Sequence, residues 1–577
     1  MTFSALATYF NTLEGTASRN QMTEILAELF RRADVTEIGK ICYLLQGRVV
    51  PLYEAVEFGV ADKFMIRAIA QAYGADESHV LGLFKKEGDL GRAAEACAAG
   101  IQKKKTDVSI TSVYMTLFAV AGESGQGSQE KKITLLADLL KSVDATSARF
   151  VARIPLDKLR LGFSDMTMLD SLSWMITGDK SLREELERVY NVRPDIGLLA
   201  ETLKEHGVKG LSHVRAHVGA PILAALCQRI PSADEMIKKM GEVAVEPKYD
   251  GVRVQIHYKK EKNTVAVSTF SRNLENTTVM FPELPGMSKE LSAHEVILDS
   301  EAIGIDPKTG KFIPFQETMT RKRKHNIEET RESVPLKFFV FDILYKDGKD
   351  LLSTPLSERR ALLETTVHPG KLLMLSPQIV TSSASELRAY HDTQLKKGLE
   401  GAVVKKWESP YEPGRRNYSW VKFKEEEGKT GKLTDTIDAV IMGYSRGEGK
   451  RSGFGIGMFL VGVRSGESFV TITKIGTGVS DELWKDFHSK LEKIKVKDKP
   501  KEYAEVNKLF TPDVWVSPSV VVEIAGDDLT KSSNHGAGVA VRFPRLVRIR
   551  TDKSPAQATT VAEITRMFHA QKNSTYI

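Results

Sequence analysis

Apolar residues recur three and four apart through the first 215 or so positions. Met22, Ile25, Leu26, Leu29 and Phe30 form one such stripe, and Ile133, Leu136, Leu140 and Val143 form another. This is the spacing of helices that bury one face. Ser18 and Gln21 stand where a capping box would start the first stripe. Polar breaks such as residues 122–128 separate the helices, and no fixed-period repeat is present.

Around Gly219, Ala220 and Pro221 the texture changes. Val243 and Val245 alternate with polar residues, and after a short turn Val252, Val254, Ile256 and Tyr258 do the same. That is the period of half-buried strands. Further strands are expected at 265–269, 296–298, 336–345 and 401–405, with helices at 357–365 and 384–397. The segment reads as α+β with a largely antiparallel sheet. A charged stretch, residues 424–432, follows as a solvated linker. Beyond it lie short glycine-rich β segments at 439–444, 457–463, 469–475, 520–523 and 546–550. Their spacing suggests a small closed or partly closed barrel. The tail from 556 to 577 reads as helix that frays.

The chain of 577 residues is too long for one core. Three domains are expected: helical (1–215), α+β (216–428) and β-barrel with a tail (429–577). At 41% hydrophobic and 27% charged, the composition is that of a soluble globular protein. The net charge of +7 suits a nucleic-acid partner only if the basic residues cluster. The start lacks a secretory signal pattern, and no apolar run reaches the roughly 20 residues that span a bilayer. A cytoplasmic or nucleoid-associated protein, away from membranes, is expected. Cys42, Cys97 and Cys227 are dispersed and read as reduced, packed thiols without metal spacing.

Chemistry concentrates at Glu246-Pro247-Lys248-Tyr249-Asp250-Gly251-Val252-Arg253. Lys248 falls in the turn between two strands, where a side chain reaches a pocket. A lysine attacks phosphorus only when neutral, and an unperturbed pKa of about 10.4 leaves few amines in that form. Activation calls for nearby positive charge or desolvation. Lys422 and Lys424, two apart on a strand, share a face and supply candidate cations.

The companions of this tetrapeptide follow in order: Phe270–Asn273 as Phe-Ser-Arg-Asn, Leu298-Asp299-Ser300-Glu301, Phe339-Val340-Phe341-Asp342, Glu400 through Lys405, and Trp420 through Lys424. Arg542-Phe543-Pro544-Arg545 and the residues from Arg548 to Lys553 close the set. This series resembles the nucleotidyltransferase superfamily of ligases and capping enzymes. Over nearly the full length it is most similar to ATP-dependent DNA ligases of the archaeal and eukaryotic replicative type. Gly88-Asp89-Leu90-Gly91 and Leu159-Arg160-Leu161-Gly162 resemble their helical DNA-binding domain. The last domain resembles their oligonucleotide-binding (OB-fold) barrel.

The resemblance implies a cycle of three phosphoryl transfers. Lys248 takes AMP from ATP, passes it to the 5′-phosphate at a nick, and the 3′-hydroxyl then displaces it. Glu246 would accept from the adenine amine and Phe341 would stack on the base. Arg253 and Glu301 suit the ribose hydroxyls. Arg272, Arg416, Lys422 and Lys424 would hold phosphate charge. Glu301 and Glu400 are candidate ligands for Mg²⁺, with Mn²⁺ as a substitute. Asp250 and Asp342 read as either functional or structural. Arg153, Lys158 and Arg160, with Arg542, Arg545 and Lys553 in the barrel, are candidate contacts to nicked duplex DNA. Residues 428–432 are the expected hinge, and 103–105 an exposed loop. Related ligases carry an aromatic sliding-clamp segment near 105–110, but here no paired aromatics occur. A monomer serving replication, repair and recombination is expected.

Three rivals share parts of this reading. An RNA ligase or a capping guanylyltransferase would use the same lysine, but neither accounts for the helical N-terminus. An NAD-dependent ligase would carry a four-cysteine zinc site. A non-catalytic DNA-binding relative would not need Lys248, Glu301, Glu400, Lys422 and Lys424 intact.

Overall fold

The computed structural model describes residues 1–100, 108–230, 232–262, 264–306, 308–313, 318, 334–423, 435–447, 454–477, 479 and 481–573. The chain divides into two compact units, Met1–Phe423 and Lys424–Ile577.

In the first unit, α-helices succeed one another from Phe3–Glu14 to Ile196–Gly210. Arg19–Arg32 buries Met22, Leu26, Leu29 and Phe30, and the Ser18 hydroxyl caps it by accepting from the Gln21 N–H at 3.5 Å. Ser128–Ser142 buries Ile133, Leu136 and Leu140, with Val143 just past its end. Asp34, Asp89, Asp144 and Asp195 cap other helices by accepting first-turn amides that have no partner within the helix. One core joins these helices. All three cysteines are unpaired.

Eleven strands follow among the described residues of this unit. They are β1 (Leu226–Arg229), β2 (Val243–Pro247), β3 (Val252–Glu261), β4 (Thr264–Ser271), β5 (Glu295–Gly304), β6 (Leu336–Lys346), β7 (Lys349–Asp350), β8 (Leu373–Leu375), β9 (Ile379–Thr381), β10 (Ala402–Lys406) and β11 (Arg416–Phe423). The expected single sheet is in fact two. One runs β1-β11-β10-β2-β9; the other runs β4-β3-β5-β6-β7, with β8 beside β6. Pairing is antiparallel except between β1 and β11 and between β6 and β8. Along β3, Val254, Ile256 and Tyr258 enter the core of the second sheet. On its other face Gln255 and His257 bind a passing segment: Ile222 N–H donates to Gln255 Oε1 at 2.8 Å, and Gly219 N–H to His257 Nδ1 at 3.0 Å. Helices Leu356–Thr366 and Ala384–Lys396 stand where the pattern placed them.

The second unit contains β12 (Ile437–Ser445), β13 (Met458–Ser465), β14 (Ser468–Ile475), β15 (Lys495–Val496), β16 (Val514–Val516), β17 (Val521–Ala525), β18 (Asp528–Lys531), β19 (Val539–Arg542) and β20 (Arg545–Ile549). The order is β14-β13-β12-β16-β15, with β17 joined to β12 and β20, and β18 paired with β19. Among the described residues this path does not close on itself. Helix Asp481–Glu492 buries Trp484, Phe487 and Leu491 in the core, and Val561–Asn573 forms the last helix. The linker and hinge expected at 424–432 and the lysines at 103–105 lie outside the described residues. No helix among those described is long and apolar enough to cross a membrane.

Candidate active site

Lys248 lies in the loop that leaves β2 in one sheet and enters β3 in the other. Its N–H donates to Gly401 O at 2.9 Å, and Glu400 N–H donates to Lys248 O at 3.1 Å. The Nζ donates to Glu400 Oε2, with the two side chains 22% and 18% exposed. The amine therefore meets solvent while its backbone is fixed. Two glycines permit this closeness. A Cβ on Gly251 would lie 2.5 Å from Ala302 O, and one on Gly401, which sits at φ +117°, would clash in the same way with Phe423 O.

Beneath the loop, Glu246 and Lys405 form a buried pair across β2 and β10. Lys405 Nζ donates to Glu246 Oε1 at 2.7 Å and to Phe341 O at 3.3 Å. It also stands 4.6 Å from the Phe341 ring centre and 4.3 Å from that of Trp420. Burial raises the pKa of Glu246, and Lys405 opposes it. Arg253 is committed as well: Nε and Nη2 donate to Asp299 at 3.0 and 2.6 Å, and Nη1 donates to Ala225 O at 2.8 Å. Opposite Arg253 on β5 is Glu301, whose carboxyl desolvation pushes up to about 7. The Cys227 thiol is pushed up by burial against the pull of Arg253, Lys405, Lys248 and Lys422.

Asp342 is structural, bound through both oxygens to the fully buried Arg359 at 2.7 and 2.9 Å. Arg272 is exposed in the turn after β4. Arg416 opens β11 beside Leu226, but its side chain, like all of Lys424, lies outside the described residues. Sequence reasoning gave no role to Lys405, Asp299 or Tyr411. The first two stand inside the motifs, which was the available signal; Tyr411 stands outside them.

Residues 221–424 match the family described as ATP dependent DNA ligase domain, 2–173 match DNA ligase N terminus, and 452–553 match ATP dependent DNA ligase C terminal region. The chain is 43% identical to a probable DNA ligase of Dictyoglomus turgidum over 99% of its own length and 98% of that relative. The chain belongs to the ATP-dependent DNA ligase family. A DNA ligase of Saccharolobus solfataricus is 36% identical over 99% of this chain and 98% of its own. A solved structure named Pmar-Lig_PreS3 shares the fold at a TM-score of 0.55 and 16% identity, covering 94% of this chain and 99% of that one. The protein is accordingly a DNA ligase that seals nicks, with ATP as co-substrate, and Lys248 lies within its central family match.

The ligase's candidate DNA contacts separate by burial. Arg153 is 1% exposed, its guanidinium bound to Asp89 at 2.6 Å and Glu14 at 3.0 Å. It offers no surface to a phosphate, and the expectation that it contacts DNA is corrected: removing one partner of such a pair costs about 3–5 kcal/mol. Lys158 pairs with Asp62 at 3.0 Å with both side chains over 40% exposed, an arrangement worth about 0–1 kcal/mol and easily exchanged for a phosphate. Arg160, 53% exposed and 3.6 Å from Asp89, lines a cavity of about 310 Å³ with Arg48, Gly162 and Ser164. In the second unit, the Arg542 guanidinium lies 5.2 Å from the Phe543 ring centre. Arg545 pairs with Asp527 at 3.2 Å and Lys553 with Asp438 at 2.5 Å.

Proposed function

We propose that Lys248 is the nucleophile of this ligase and carries AMP from ATP to a nicked duplex. The supporting observation is that Lys248 pairs with Glu400 where the chain passes from one sheet to the other, with Arg253 and Glu301 opposite each other on β3 and β5, and Glu246 and Phe341 both bound by Lys405. The Lys248 amine attacks the α-phosphorus and pyrophosphate departs. A 5′-phosphate oxygen at the nick then attacks the same phosphorus and frees the lysine. The 3′-hydroxyl finally attacks the 5′-phosphorus, joining the strand and releasing AMP. These displacements need in-line placement and charge neutralisation more than proton shuttling. To attack, the amine must leave its ion pair with Glu400 and become neutral.

Glu246, its charge balanced by Lys405, accepts from the adenine amine, and Phe341 stacks on the base. Arg253 and Glu301, opposite each other on β3 and β5, meet the ribose hydroxyls. Arg272, Arg416, Lys422 and Lys424 neutralise phosphate. Among the described residues no cluster of three or more His, Cys, Asp or Glu is poised to hold a metal. The two carboxylates near Lys248, Glu301 and Glu400, fit Mg²⁺ or Mn²⁺, ions that take one or two carboxylates and fill the remaining positions with phosphate and water oxygens. Such an ion would offset charge on the phosphates.

Residues 1–215 bind duplex DNA through Lys158 and Arg160, 216–428 form the adenylation domain, and 429–577 form an OB-fold domain that contacts DNA through Arg542, Arg545 and Lys553. Contacts to phosphates position the duplex without reading its sequence. The ligase acts as a monomer in the cytoplasm, in replication, repair and recombination. With ATP labelled at the α-phosphate, the denatured chain retains label, GTP gives none, and Lys248→Ala abolishes it while the exposed Lys396→Ala does not. Label retained in Lys248→Ala would name another nucleophile.

A further inference from the structure

Asn191 belongs to the helical part of the chain, near the end of helix Arg183–Val192, and is 3% exposed. Its side-chain amide donates to Pro413 O at 2.9 Å. Its backbone oxygen accepts from Leu223 N–H at 2.8 Å. One residue thereby holds two segments, and Gly414 N–H joins them by donating to Ala224 O at 3.3 Å.

Both segments end on Arg253. From the first, Ala225 O accepts Arg253 Nη1 at 2.8 Å. From the second, the Tyr411 hydroxyl accepts Arg253 Nη2 at 3.3 Å and Ala225 N–H at 3.0 Å, and donates to Asp299 Oδ2 at 2.8 Å. Val192, next to Asn191, packs on the apolar cluster that contains Phe341, Tyr411 and Trp420. The backbone anchors of Lys248, Glu400 and Gly401, belong to neither segment.

We propose that Asn191 is a positioning residue for ATP: through the two segments it ties together, the helical part holds Arg253 in its nucleotide-binding place. The inference rests on the reading that Arg253 serves the nucleotide. When a binding-competent arrangement is only partly populated, apparent affinity falls by that fraction. Loosening Asn191 therefore weakens ATP binding and leaves the chemical step at Lys248 unchanged.

The test is the rate of self-adenylylation by the full-length protein against ATP concentration, at saturating Mg²⁺. Asn191→Asp keeps the size of the side chain but replaces its donor with an acceptor facing Pro413 O. Tyr411→Phe removes only the hydroxyl. In both, the half-saturating ATP concentration is expected to rise about tenfold, with the maximal rate within about twofold of the parent. A purely structural role would lower the fraction of labelled chain without moving half-saturation. Should Asn191→Asp not fold, Asn191→Ser provides the same reading. Parent-like half-saturation in a fully labelled Asn191 variant overturns the proposal. Arg253→Ala separates the two layers: a shift there without one at position 191 removes only this inference, whereas no shift in Arg253→Ala removes the nucleotide role of Arg253 itself.

Discussion

Lys405 and Glu246 are 1% and 4% exposed, and the rings of Phe341 and Trp420 lie beside the ammonium. Lys405→Met would strand a carboxylate in that apolar setting, so the first unit should lose about 3–5 kcal/mol in denaturant unfolding. The double change Lys405→Met with Glu246→Leu should recover most of it, because neither charge is then left unpaired. A loss below about 1 kcal/mol in the single variant would place the pair with weak surface bridges such as Lys158–Asp62. Single residues were legible as candidates where a motif carries them, as at Lys248, Glu301 and Glu400. Arg153 was not. Its partners Glu14 and Asp89 stand 139 and 64 residues earlier, and only the folded core brings them within reach. For the same reason the sequence offered Arg253 as a ribose candidate without showing that Asp299 and Tyr411 hold its guanidinium.

The loop from β2 to β3 is tightly fitted against β5, where a Cβ on Gly251 would lie 2.5 Å from Ala302 O. Gly251→Ala would drive a methyl group against Ala302 O and the Glu301 side chain, displacing the loop that carries Lys248. Self-adenylylation should fall at least about a hundredfold, as expected when a reacting group is misplaced by about 1 Å, with the helical content of the chain unchanged by circular dichroism. Near-normal labelling of that variant would show that the loop tolerates the shift. At this scale the alternation of Val252, Val254, Ile256 and Tyr258 marked β3 correctly, since period-two patterning records a local face. It could not record that β2 and β3 enter different sheets, because β2 pairs with β10, some 150 residues later. Helix Asp481–Glu492 has no counterpart in the pattern read along the chain, although Trp484, Phe487 and Leu491 stand at helical spacing; the polar residues between them make the stripe narrow.

Across the whole molecule, the helical part and the two-sheet region form one compact unit, while Lys424–Ile577 forms another. Sequence texture instead marked three parts, because helix and sheet differ in periodicity even where they share contacts such as Asn191–Pro413. Three family matches spread over both units, whereas the chemistry is assigned to one amine. A chase experiment joins the two. Protein labelled from α-labelled ATP, freed of nucleotide and given a nicked duplex with a 5′-phosphate, should lose its label from the peptide containing Lys248 as AMP appears in proportion to sealed strands. Label that stays on the protein while nicks are sealed, or that resides on another peptide, would contradict the account.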